Sequence, residues 1–167
     1  MKPIIPIDEL GRLAAGALGG FVTGQGLYSF RDSHHVDRNN WNFFQIAVGK
    51  EGVTYADTNM QKAGQLHYWF VITGIRMICI DFGAHGLELK RYHKGSYELY
   101  VGCAAHQRGP IEEIYLDGPK VCDIDPPIAI APFQNFTVKV KFESCPTPRR
   151  VGVFLDGLTY FINEDSK

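Results

Sequence analysis

The sequence lacks an excess of charge of either sign. Its 17 Lys and Arg residues and 18 Asp and Glu residues leave a formal net charge of −1. No domain-wide positive field is therefore expected to attract nucleic acid or an anionic bilayer. Long apolar runs are also missing, because the longest helical apolar stretch, residues 10–22, is glycine-rich and shorter than the ~20 residues of a membrane span. We expect neither specific nucleic-acid binding nor a membrane-spanning helix.

Cysteine is scarce, and its spacing does not suit a metal site. Cys79, Cys103, Cys122 and Cys145 form no CxxC pair and have no His partner at zinc-finger spacing. The first two lie in apolar, strand-like runs, whereas the last two flank turn-rich sequence that leaves a disulfide between them open. We expect free, buried thiols.

Aromatic residues, by contrast, are plentiful. The chain has 11 Phe, 8 Tyr and 2 Trp among 167 residues, and such residues favour strands. An apolar fraction of 45% with 21% charged residues is typical of a soluble globular protein. The length suits one domain with an appended segment. We therefore predict an all-β fold.

Residues 1–40 differ from the remainder and are predicted to be an arm, with the domain spanning 41–167. Asp8 and Glu9 interrupt the apolar stretch that a signal peptide needs, so no secretion signal is expected. Helical spacing of apolar residues predicts a short helix around 6–18. The apolar stripe of this assembly arm comprises Ile7, Leu10, Leu13, Leu18 and Phe21. Interleaved glycines weaken such a helix, so the arm is expected to dock on neighbouring subunits, or alternatively on an edge of its own sheet.

From Trp41 onward the pattern changes to short, alternating apolar segments separated by turn residues. The predicted strands are 41–48, 65–82 (as one long strand or two short ones), 87–93, 96–103, 111–118, 136–144 and 150–162. Long loops are predicted at 49–64 and, rich in proline, at 119–135. Asp156-Gly157 predicts a type I′ turn, so that the chain ends in a hairpin. The residues predicted to face the core are Phe136, Val138, Val140, Phe142, Val151, Val153 and Leu155.

No group of residues has the spacing that catalysis or metal binding requires. The groups considered are His34, His35 and Asp37; His85, Glu88 and His93; and Asp117, Asp123 and Asp125. The first group lacks HxH or HxxxH spacing, and the second lacks the HxH motif of cupins. The third group lacks the DxDxDG pattern of calcium loops. No GxSxG motif is present either. We expect no catalytic residue, no metal and no cofactor.

The two tryptophans and one group of basic residues can be explained by packing and by solvent exposure. Trp41 and Trp69 lie in apolar runs, so core or intersubunit packing is preferred over stacking on a sugar. A modest basic strip is read as a solvated strand face. The strip comprises Lys139, Lys141, Arg149 and Arg150.

Two stretches carry distinctive motifs. They are NFFQIAVGKEGVTYADTNMQKAGQLHYWFVITGIRM (42–77) and IAPFQNFTVKVKFESCPTPRRVGVFLDGLTYF (130–161). The first contains an FFQxxVG strand, a TNMxxxGQL turn and a strand ending near GIR, and the second contains an FxVxV strand followed by LDG. Both stretches, about half the chain, resemble jelly-roll structural proteins of tailless icosahedral bacteriophages.

The resemblance implies a single jelly-roll antiparallel β-sandwich with an N-terminal arm, acting as a non-enzymatic capsid subunit of an icosahedral shell. The implied partners are copies of the same chain and other capsid proteins, with an internal viral membrane or its proteins as a further candidate. The implied location is the virion, after synthesis in the host cytoplasm. Many relatives have two jelly rolls, so the capsid role stays open between major, paired and penton protein. Alternatives are a lectin-like carbohydrate-binding sandwich and a cupin-like metalloprotein.

Overall fold

The computed structural model describes residues 21–23, 26–33, 39–83, 86–89, 94–143 and 148–161. The described residues form ten β-strands and one 3-10 helix, Ile111–Glu113. The strands are β1 Phe21–Thr23, β2 Leu27–Asp32, β3 Asn40–Phe43, β4 Trp69–Gly83, β5 Gly86–Leu89, β6 Gly95–Val101, β7 Ala104–Pro110, β8 Cys122–Ile130, β9 Phe136–Phe142 and β10 Arg150–Phe161. The prediction of an all-β fold is confirmed.

The strands form two antiparallel sheets. In the six-stranded sheet, β10 pairs with β1 and β2 along one edge and with β4 along the other, and β4 then pairs with β8 and β5. The four-stranded sheet has the order β3-β9-β6-β7. Buried side chains of both sheets belong to one hydrophobic core. The molecule is therefore a two-sheet sandwich, as predicted.

The strand pairings are nested along the chain. Strand β2 pairs with β10, β3 with β9, β4 with β8, and β6 with β7. Two further pairings, β4 with β10 and β6 with β9, join these pairs into the two sheets. Strands β1 and β5 lie outside this nested set. The strands of the innermost pair, β6 and β7, are adjacent in sequence, and each pair outside it joins strands that are farther apart in sequence.

The predicted core positions of β9 and β10 are confirmed. All seven of the apolar residues named above are at most 2% exposed. Between them on β9, Lys139 and Lys141 are exposed, so the alternation in sequence is an alternation between core and solvent. Aromatic side chains fill much of the remaining core, and the largest fully buried ones are Trp41, Tyr97 and Tyr115.

The Pro-rich loop predicted at 119–135 is wrong, because β8 lies within it. Pro126 and Pro127 interrupt the strand without abolishing it. Strand β8 pairs with β4 on either side of them, through Cys122 and Asp123 and again from Ile128, with a register shift between. Proline cannot donate a backbone hydrogen bond, but an edge strand with a bulge tolerates it.

The strand predicted at 111–118 is also wrong. Ile111–Glu113 form a 3-10 helix, and the buried residues are Ile111, Ile114 and Tyr115. This spacing of three and four residues is that of a helical turn and not of a strand. The preceding segment, β7, has few apolar residues, and its sequence predicts no strand.

The hairpin predicted at Asp156-Gly157 is absent, and β10 continues through both residues with a bulge against β4. Thr73 Oγ1 donates a hydrogen bond to the Asp156 carbonyl here. A Cβ on Gly157 would lie 2.0 Å from the carbonyl oxygen of Val71. Gly157 is therefore required by close approach of two backbones, and not by a turn.

Part of the predicted arm belongs to the sheet. Strands β1 and β2, which fall within residues 1–40, both pair with β10, so Phe21 of the predicted stripe lies in a strand. The helix predicted around 6–18, with Ile7, Leu10, Leu13 and Leu18, lies outside the described residues. The long loop predicted at 49–64 is confirmed as part of the connection between β3 and β4.

We expect Gly157→Ala to lower the free energy of unfolding by about 2 kcal/mol, because the new methyl group overlaps the Val71 carbonyl. Chemical denaturation would measure this change. Gly118→Ala is the matched control, since a Cβ there has no neighbour within 4 Å. Equal effects of the two substitutions would contradict the close approach at Gly157.

We expect Val140→Asp to destabilise the fold by several kcal/mol, on the order of 4, because it buries an unpaired charge. Val140 is 1% exposed. The same substitution at Lys141, which is exposed, should have little effect. Thermal melting of both variants provides the comparison, and a Val140→Asp protein with a near-native melting temperature would show that the inward face is misassigned.

Candidate functional site

The outer faces of the two sheets differ in chemistry. The outer face of the four-stranded sheet is polar and carries a shallow groove of about 100 Å³. Its polar lining residues are Asn40, Asn42, Ser96, Glu98, Lys139 and Lys141. This volume is well below the roughly 300–1,000 Å³ of small-molecule pockets. The face therefore has the character of a solvated surface.

The outer face of the six-stranded sheet is apolar in its centre and carries charged side chains around it. The outward side chains of β2, of residues 76–80 on β4 and of residues 150–156 on β10 are half-buried and alternate with inward positions. We call the apolar set the outer patch. It consists of Tyr28, Phe30, Ile78, Ile80 and Phe154. A one-sided antiparallel sheet normally presents polar residues at such positions, so this face departs from the usual pattern.

The aromatic rings of the outer patch pack against each other across the strands. The Phe30 and Phe154 ring centroids lie 5.5 Å apart at an interplanar angle of 89°, and Tyr28 lies 6.4 Å from Phe30. Both arrangements are edge-to-face, which the ring quadrupoles favour. Gly152, on β10, lies opposite Phe30, and a Cβ on this glycine would lie 2.3 Å from the Phe30 ring. Glycine at this position thus lets the Phe30 ring lie flat on the sheet.

An arginine lies over each of the two phenylalanine rings. The guanidinium carbon of Arg76 is 4.3 Å from the Phe154 centroid, and that of Arg150 is 4.9 Å from the Phe30 centroid. Arg76 Nε lies 3.3 Å from a carboxylate oxygen of Asp156. These side chains are more than a third exposed, so the ion pair itself adds little stability. Its effect is to hold a planar cation against the ring.

Arg150 joins the patch to the loop between β3 and β4. Its two Nη atoms lie 3.1 Å from Asp32 and 2.9 Å from Asp57, a residue of that loop. Burial acts to raise the pKa of Asp57, but the Thr54 backbone N–H and Arg150 outweigh it and hold this pKa below the ordinary 3.8. Burial likewise acts to lower the pKa of Arg150, and the two carboxylates raise it overall. Both groups are therefore charged in the folded protein.

The same loop runs along the free side of β2. The Phe30 N–H donates to the Asp57 carbonyl at 2.6 Å, and Thr58 Oγ1 donates to the Tyr28 carbonyl at 3.0 Å. The side chain of Asn59 accepts from the Tyr28 N–H and donates to the Gly26 carbonyl. The backbone of β2 is therefore hydrogen-bonded on both sides, which positions Tyr28 and Phe30.

A second polar cluster lies between the sheets. Tyr97, on β6, donates its hydroxyl hydrogen to Glu113 at 2.8 Å and accepts from Gln107 Nε2 at 3.2 Å. The Cys122 sulfur, on β8, is 3.9 Å from the Glu113 carboxylate. Burial and the hydrogen bond to Glu113 raise the pKa of Tyr97 although Gln107 opposes this, so the hydroxyl remains a donor. These contacts link β6, β7 and the 3-10 helix to β8, so the cluster joins the two sheets.

Several sequence-predicted candidates are not brought together. Trp41 is fully buried and stacks with Phe43, so its ring is not available to a sugar, whereas Trp69 is half-buried in β4. The predicted basic strip is divided, because Lys139 and Lys141 lie on the four-stranded sheet while Arg150 lies on the outer face of the other sheet. The strip is therefore not one surface.

The cysteine predictions have mixed outcomes. Cys79 is free and buried, and burial raises its thiol pKa, as expected for a small core residue. Cys103 is free but exposed, which contradicts its predicted burial, because the turn between β6 and β7 contains it. Cys122 is free and half-buried. In the described part of the chain, no group of three or more His, Cys, Asp or Glu side chains is placed to hold a metal ion.

The histidine groups proposed from the sequence lie mostly outside the described ranges. This applies to His34, His35, Asp37, His85 and His93, and also to Cys145. No family model, curated protein or solved structure matches this chain. Over the residues that the structure describes, no helix is long and apolar enough to cross a membrane. The outer patch is the surface feature that most needs an explanation.

We expect the free energy of unfolding of Asp57→Asn to fall less steeply than that of the parent protein as the pH is lowered. Because the Asp57 pKa is lower in the folded chain, its carboxylate stabilises the fold above about pH 4, and this contribution is lost as the pH falls through the folded-state value. Urea unfolding from pH 7 to pH 2 would compare the variant with the parent protein. Glu51→Gln, an exposed position of the same loop, is the control and should leave this dependence on pH unchanged. Identical dependence on pH for the parent and Asp57→Asn would contradict the assignment.

Proposed function

We propose that this protein is a single jelly-roll capsid subunit of a tailless icosahedral bacteriophage and has no catalytic role. The observation that carries the proposal is the nested pairing of eight strands, in which the first pairs with the last and each inner pair lies inside the previous one. A jelly roll consists of eight antiparallel strands in two sheets formed by two Greek keys. Wrapping four nested pairs around one core produces strand orders such as β2-β10-β4-β8 and β3-β9-β6-β7.

The motif-bearing stretches support the same proposal. Residues 42–77 include the end of β3 and the first half of β4, and residues 130–161 include β9 and β10. Two pairings join the nested pairs into sheets. The first is between β4 and β10, which both lie in these stretches, and the second is between β9, which also lies there, and β6. The resemblance to phage jelly-roll proteins is therefore strongest in the strands around which the sandwich is organised.

The surface chemistry also favours assembly over catalysis. A capsid subunit acts through broad contact surfaces, and the outer patch is an apolar, partly accessible face with ion pairs at its two ends. Such faces mark protein contacts more often than isolated apolar residues do. The proposed partners are copies of this chain and other capsid proteins in a virion, with an internal membrane or its proteins as further partners.

The arm hypothesis can be tested with a truncation that respects the observed strands. Deletion of residues 1–20 leaves β1 and β2 intact, whereas a longer deletion would remove sheet strands. We expect the truncated protein to keep its far-ultraviolet dichroism and to melt within a few degrees of the parent, which is the shift of a change of about 1 kcal/mol. It should no longer form the particles or closed oligomers of the full chain.

Electron microscopy and light scattering of the full chain and the truncated protein would measure assembly. Unfolding of the truncated protein, or assembly equal to that of the full chain, would count against an assembly arm. A full chain that stays monomeric at high concentration and binds immobilised glycans would instead favour the lectin-like alternative. Stoichiometric metal in the purified chain would favour the cupin-like one.

A further inference from the structure

We propose that the outer patch is the docking site for residues 1–20 of a neighbouring copy of this chain. The inference rests on the proposed function and names the surface through which the arm would act. Three observations carry it: the chemistry of the patch, the composition of residues 1–20, and the direction in which the chain enters β1.

The chemistry of the patch calls for an apolar occupant. Strands β2, β4 and β10 place apolar side chains on both faces, and sheets with two apolar faces are typically covered on both. The inward residues meet the core, whereas Phe30, Phe154 and Ile78 remain partly accessible on the outside. The arginines at the ends of the patch are held by Asp156 and by Asp32 and Asp57, so the patch offers no uncompensated positive charge for an anionic ligand.

Residues 1–20 have a matching composition. They contain four apolar residues at helical spacing, Ile7, Leu10, Leu13 and Leu18, but only four charged residues, two of each sign. A helical stripe from Ile7 to Leu18 would be about 17 Å long at 1.5 Å per residue. The patch follows β10 from Arg150 to Asp156, about 20 Å at 3.3 Å per residue. The two apolar surfaces are thus comparable in length and charge.

The direction of the chain favours a neighbouring copy over the same one. Strand β1 is antiparallel to β10, with Phe21 opposite Phe161 and Thr23 opposite Thr159. Strand β1 therefore begins at the Phe161 end of β10. The patch lies at the other end, seven or more residues back from Phe161, which is roughly 23 Å or more. To reach the patch of their own chain, residues 1–20 would have to turn back along β10, whereas docking on a neighbouring copy needs no such turn.

Photocrosslinking can test this arrangement directly in the full chain. Leu10→benzoylphenylalanine places a photoreactive ring in the apolar stripe, and the variant is assembled from an equal mixture of light-isotope and heavy-isotope protein. We expect adducts with peptides containing residues 27–32, 76–80 or 150–156, and about half of them should join a light chain to a heavy chain, as random mixing requires. Adducts only within one chain, adducts with other peptides, or no adducts would each overturn the proposal.

A pair of face variants supplies an independent readout. Phe154→Ser removes a ring from the outer patch, and Lys139→Ser changes an exposed residue on the other sheet. We expect the first to weaken assembly about tenfold, the effect of losing one central apolar contact, and the second to leave it unchanged. Circular dichroism confirms that each variant is folded. Equal assembly of the two would contradict a role for the patch.

Failure of this inference is distinguishable from failure of the proposed function. Particles visible by electron microscopy whose crosslinks map elsewhere would leave the capsid proposal standing and remove the outer patch as the docking site. A chain that forms no assembly under any condition would remove both.

Discussion

The fold depends on the position of β10 between β2 and β4. Its pairing with β4 runs from Arg150 opposite Ile80 to Tyr160 opposite Trp69, and its other side pairs with strands from the beginning of the chain. These pairings join residues 21–32 to residues 150–161, which are more than 100 positions away in sequence. Such long-range pairing is characteristic of sandwiches that fold slowly and cooperatively.

The central position of β10 also creates the candidate surface. Arg150, Gly152 and Phe154 alternate with the core residues of the same strand, so register alone decides which side chains reach the outer face. Phe30 lies over Gly152 and beside Phe154, and Arg150 connects this face to the loop that carries Asp57. One strand therefore links the core, the outer patch and the β3–β4 connection.

The sequence predicted the fold class and the core face of β9 and β10 because those strands alternate cleanly. It did not predict β7 or β8, since small polar residues and prolines form strands there only in the context of β6 and β4. Asp156-Gly157 resembles a turn signal, but the close backbone of β4 explains the glycine. The outer patch is not evident from the sequence, because Tyr28 and Phe30 lie within the predicted arm. Arg150 and Asp57 are separated by 93 positions, and only the folded chain brings them together.

The loop segment beside β2 has a consequence for how copies of this chain can meet. An open strand edge is a template on which identical chains add without limit, as in amyloid. On β2 that template is occupied by Asp57, Thr58 and Asn59 of the same chain. Growth by strand addition is therefore blocked along this edge of the sheet. On this side of the larger sheet, the surface that stays accessible is the face with the half-buried rings of Tyr28, Phe30 and Phe154, and not the backbone of β2.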